Sequence, residues 1–132
     1  MGYRSDVAYT IRFNSNDDTL NKQSFYTFLA EAKSKEEYTI ALDDVCMRID
    51  EARYCFNFYT NDVKWYENYE DVISHTALFD LAKEWESSEA TPCIGYMFVR
   101  VGEEPSDIEE LSGGLQDYDW IRVSRQVNCD WD

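Results

Sequence analysis

The sequence predicts one α+β domain, residues 1–132, and three observations predict it. The stretch "SDVAYTIRF" at 5–13 alternates at every second residue, as a strand with one buried face does. Two segments, 25–32 and 78–85, instead repeat apolar residues at the three-to-four spacing of an amphipathic helix. These periods succeed one another in the order strand, helix, two strands, helix, strand, strand. That is the split β-α-β order of ferredoxin-like domains with an extra C-terminal strand. About five strands in an antiparallel or mixed sheet, with two helices on one face, satisfy this order.

Each element has its own residues. In the first strand Val7, Tyr9, Ile11 and Phe13 share a face, opposite Ala8, Thr10 and Arg12. "NSNDD" supplies cap chemistry for a helix carrying Phe25, Phe28, Leu29 and Ala32, and Lys33 and Lys35 suit its negative end. "DVCMRIDEARYCFNFYT" reads as a hairpin, with Val45, Met47 and Ile49 on one arm and Tyr54, Phe56 and Phe58 on the other, around a turn near Asp50 and Glu51. Asn68 with Asp71 resembles a capping box for a second helix, which buries Leu78, Leu81, Ala82 and Trp85. "CIGYMFVRV" at 93–101 is a strand, residues 103–119 an acidic loop, and "DWIRVSRQV" closes the chain as the last strand.

Charge narrows the class of function. With 27 acids against 12 bases the net charge is −15, so direct binding to nucleic acid or to an anionic membrane is disfavoured and a basic protein is the natural partner. No apolar run reaches the roughly 20 residues of a membrane span, and the start lacks a signal peptide's apolar region, so a cytoplasmic setting is expected. The cysteines Cys46, Cys55, Cys93 and Cys129 form no C-x-x-C pair, which predicts reduced thiols and no zinc site. His75 is the one histidine and stands near no nucleophile signature, and the five glycines form no phosphate-cradling motif. The expectation is therefore a binding protein with no enzyme activity, no cofactor and no metal.

Three features remain to carry binding. Residues 102–120 hold seven carboxylates without a lysine or arginine. Glu103, Glu104, Asp107, Glu109, Glu110, Asp117 and Asp119 form a candidate partner-binding set, with Tyr66, Tyr69 and Tyr118 as anchors. Alternate strand residues stand about 6.8 Å apart, close to twice the axial step of about 3.4 Å on one DNA strand. A rigid carboxylate array could thus mimic phosphates in a basic groove. Secondly, Arg12, Arg48, Tyr59, Tyr96, Phe98, Arg100, Trp120 and Arg122 are expected to share the sheet face away from the helices. Interleaved arginines and aromatics suit a stacked nucleotide, or a homodimer interface that buries the rings. Thirdly, "FNFYTNDVKWYENY" places Trp65 and tyrosines beside acids, the anatomy of a charge-rimmed hot spot.

Taken together, "MGYRSDV", "VKWYENYEDV" and "GYMFVRVGEEPSDIEE" followed by "RVSRQV" resemble a family of small proteins of tailed phages and prophages. The similarity spans most of the chain in matching order and brings no site residues with it. It implies a setting: an accessory protein made in a bacterial host's cytoplasm during infection. Small acidic phage proteins of other families inhibit restriction, CRISPR and recombination nucleases, several of them as DNA mimics. The expected role is accordingly anti-defence: inhibition of a basic, nucleic-acid-binding host protein. The alternatives are sequestration of a nucleotide signal on the arginine-aromatic face, or a structural, dimeric phage component.

Overall fold

A computed structural model describes residues 2–88, 93–104 and 106–114. Five strands, β1 (Ser5–Phe13), β2 (Met47–Asp50), β3 (Cys55–Val63), β4 (Ile94–Gly102) and β5 (Ile108–Gly114), form one antiparallel sheet in the order β2-β3-β1-β4-β5. Read from the other edge, β4-β1-β3-β2 is the ferredoxin-like order, and β5 extends it beside β4. The chain is α+β, as its periodicities predict. The predicted final strand at 119–127 lies outside the described residues. The fifth strand is instead drawn from the stretch expected to be an acidic loop.

Three helices accompany the sheet: α1 (Asp18–Lys33), the short α2 (Thr39–Asp43) entered through a 3-10 turn at Glu36–Tyr38, and α3 (Glu70–Ser87). Two were expected, and α2 was missed because five residues are too few to display a helical period. Asp17 caps α1 by accepting the Leu20 N–H, and Lys33 stands in its last turn. The expected capping box of α3 does not form. Its N-cap is Tyr69, without a side-chain bond, and Asp71 accepts the adjacent Val72 N–H. Asp50 shapes the β2–β3 turn by accepting the N–H groups of Ala52 and Arg53, and Tyr54 takes a positive φ of 57°.

The core lies between the sheet and the helices. Val7, Tyr9, Ile11 and Phe13 are fully buried, as the alternation of β1 predicts. Phe25 and Phe28 of α1 pack on Phe56 at ring-centre distances of 5.2 and 5.3 Å, and Phe28 meets Trp85 of α3 at 5.2 Å. Burying such a ring stabilises by about 1.5 to 3 kcal/mol before entropy is counted.

Register decides which residues share a face, since directly paired residues of an antiparallel ladder point the same way. Tyr9 pairs with both Phe58 and Phe98, Ile11 with Tyr96, and Val7 with Arg100. Tyr96, Phe98 and Arg100 therefore lie on the helix side, and the arginine-aromatic face expected opposite the helices is split. Arg12, Arg48 and Tyr59 stay on the far side, where Arg12 donates to Thr10 and Thr10 to Asn57. Trp120 and Arg122 lie outside the described residues. The physical reason is that β4 is apolar on both faces: Met97 and Val99 on one, Tyr96 and Phe98 on the other, all but Phe98 buried. Alternation carries no sidedness in such a strand.

Candidate functional site

β5 is mostly exposed and meets α3 at only a few positions, so on the helix side a cleft of about 760 Å³ opens between α3 and the β4–β5 pair. Phe98, paired with Leu111, forms its floor, Ile73, Ala77 and Phe79 of α3 form one wall, and Trp65 closes an end. Trp65 stands 6.5 Å from Phe98 and 5.7 Å from the His75 ring. Ile73 and Leu111 remain exposed.

A polar network borders this apolar floor. Arg100 donates to both oxygens of Asp107 at 2.8 and 3.2 Å, to Glu109 at 3.0 Å, and to the Ser5 hydroxyl. The Asp107 hydrogen bond, against burial and with help from Glu109, raises the Arg100 pKa, so the guanidinium stays charged. Tyr3 donates its hydroxyl to Asp107 at 2.6 Å, which raises the tyrosine's pKa. Gly102 makes this approach possible, because a Cβ there would collide with both the Asp107 carboxylate and the Tyr3 hydroxyl. Four carboxylates, Glu67, Asp80, Asp107 and Glu109, border the cleft against two cations, Arg100 and Lys83.

This geometry divides the predicted acidic set. Pairing with Arg100 turns Glu109 to the helix side, and pairing with Val99 turns Glu110 to the other. Asp107 and Glu109 share the single positive charge of Arg100, which ties both side chains down and removes one of their two negative charges, so they do not form an open row of phosphate-like charges. Glu103 accepts the Arg4 N–H at 3.1 Å, and the Glu104 N–H donates to Tyr3. Asp117, Tyr118 and Asp119 lie outside the described residues. Of the tyrosines, Tyr66 is tied down by accepting the Tyr3 N–H, while Tyr69, edge-on to it at 5.1 Å, is exposed.

Sequence reasoning identified Trp65 and the acids but missed the α3 wall. Tyr69, Ile73, Thr76 and Asp80 sit at helical spacing on a stripe beside the buried one, and an isoleucine on that polar side was the available signal.

His75 is buried and structural. Asp44 accepts at 2.9 Å, so Nε2 carries the proton, and Nδ1 accepts from the Tyr9 hydroxyl at 2.6 Å. Burial lowers the His75 pKa, although Asp44 opposes the shift. Both ring nitrogens are thus occupied in joining β1, α3 and the residue after α2.

Comparison with family models, curated proteins and solved structures finds no match. No helix among the described residues is long and apolar enough to cross a membrane.

Proposed function

We propose that this chain is a small acidic phage accessory protein that works by binding, and that it inhibits a basic, nucleic-acid-binding protein of the bacterial host. The α3–β5 cleft takes an apolar side chain of that partner, and the net negative rim, Glu67 first, takes flanking lysines or arginines. The observation that carries this reading is an apolar floor of Phe98 and Leu111 whose rim, among the described residues, has four carboxylates and two cations: Arg100 holds Asp107 and Glu109, Lys83 stands 3.7 Å from Asp80, and Glu67 has no ion pair, so the rim keeps a net negative charge. A buried apolar anchor within a polar rim is the usual anatomy of a binding hot spot. A net charge of −15 adds long-range attraction to a basic surface. The phage setting rests on the resemblance of "MGYRSDV", "VKWYENYEDV" and the β4–β5 stretch described above. Competition for the partner's nucleic-acid surface replaces the phosphate-spaced array, because Arg100 occupies two of the carboxylates that array required.

The test is capture from host lysate on tagged protein at low and high salt, with mass spectrometry of the eluate. A basic nucleic-acid-binding protein should be retained at low salt, released at high salt, and displaced by added duplex DNA. Ile73→Asp and Leu111→Asp should each abolish capture. Retention indifferent to salt and to both substitutions would refute the reading.

A further inference from the structure

Among the described residues β2 is an edge strand: β3 alone flanks it, and its other side faces away from the sheet. Which of its backbone groups point outward follows from the ladder. The Phe13 N–H donates to the Tyr54 carbonyl, which makes Phe13 and Tyr54 a hydrogen-bonded pair of β1 and β3. Hydrogen-bonded pairs recur at every second residue of an antiparallel ladder, so Phe56 and Phe58 also direct their backbone groups to β1, and Cys55 and Asn57 direct theirs to β2. Arg48 and Asp50, opposite Asn57 and Cys55, therefore bond inward, while Met47 and Ile49 point out. The Met47 N–H is satisfied by the Asp44 carbonyl at 2.9 Å. This leaves the Ile49 N–H as the outward donor of the strand and the Ile49 and Met47 carbonyls as its outward acceptors.

We propose that this edge pairs with the same edge of a second copy, antiparallel and centred on Ile49, joining two five-stranded sheets into one. A two-fold axis at Ile49 lets the two Ile49 residues exchange N–H and carbonyl bonds, which is the hydrogen-bonded type of pair. The same axis sets Arg48 directly across from the partner's Asp50, and Asp50 across from the partner's Arg48, in non-hydrogen-bonded pairs whose side chains stand about 4.5 to 5.5 Å apart at Cβ. The edge is thus complementary in charge to itself. Arg48 is exposed and has no ion pair among the described residues. Asp50 spends one oxygen, Oδ1, on the turn and keeps the other. Both side chains project from the face away from the helices, since Arg48 pairs with Asn57 and not with a core residue. Val45, 96 % exposed just before β2, stands at the end of the strand that the partner's turn would reach. A single charge on a short edge strand can also serve to keep the edge unpaired, and the two roles differ in oligomeric state.

Sedimentation velocity across a concentration series should show a reversible species of twice the 15.6 kDa chain mass. Arg48→Asp places two carboxylates against each other twice over. It should weaken self-association by about tenfold or more. Asp50→Arg does the same with four guanidinium groups, and equimolar mixing of the two variants should restore the dimer because every facing pair is then opposite in charge. Should Asp50→Arg disturb the turn, visible as a lost circular-dichroism signature, amide exchange decides instead: the Ile49 N–H should be protected in the wild type at high concentration and fast in Arg48→Asp. A wild type that is monomeric at every concentration, or a dimer that Arg48→Asp leaves unchanged, overturns the proposal.

Discussion

The centre of the sheet and its β4–β5 edge both hold polar groups on the helix side, under opposite conditions. At the centre, Tyr9, His75 and Asp44 form one chain of hydrogen bonds among Phe58, Phe79 and Trp65, with no room for alternatives. At the edge, Arg100 holds Asp107 and Glu109 beside solvent. Water can replace a lost partner at the edge; at the centre it reaches Asp44 but not the buried Tyr9 and His75. The centre's polar groups therefore matter through what they would cost unpaired, and the edge's through the charge they present or withdraw.

The largest effect belongs to the apolar part of the centre. Phe28→Ala should lower unfolding free energy by about 3 to 5 kcal/mol, read from urea melts, because neighbours on α3 and β3 cannot collapse into the void. A smaller loss would mean that the two layers are less tightly joined than the ring distances imply.

The buried polar chain comes next. Tyr9→Phe leaves the His75 Nδ1 without its donor and should cost about 1 to 3 kcal/mol. The same histidine gives the centre a pH signature. Its folded pKa is lowered from 6.5, chiefly by burial. Above pH 6.5 the ring is neutral whether folded or not, and stability is flat. Below it the unfolded chain binds a proton that the buried ring resists, so stability falls as the pH falls. Urea midpoints between about pH 8 and pH 5, above the usual carboxylate range, should show this slope, and His75→Gln should remove it.

The smallest effect is at the edge. Arg100→Ala should cost about 1 kcal/mol, because its acids are a third to a half exposed, and the loss should shrink in high salt. Salt should leave the Tyr9→Phe loss unchanged. Equal salt responses at the two sites would erase the distinction between them.

Much of this architecture was readable from the chain. β1 alternates polar and apolar residues, so its buried face was unambiguous, and Phe25, Phe28 and Leu29 could share a face only in a helix. The aromatic and acidic character around Trp65 and Tyr66 was visible too. The cleft itself was not, because it exists only where β5 outruns the cover of α3, a consequence of strand order.

What sequence alone determined here is the first four strands, the two long helices, their succession and the excess of carboxylates, since these follow from local periodicity and counting. Tertiary structure alone decided that Tyr96, Phe98 and Arg100 face the helices, that an expected loop is a strand, and which acids meet Arg100. Pairing register sets those outcomes. A strand apolar on both faces contains no local information about which side the core will claim, and a carboxylate's partner is chosen by whichever strand lies beside it.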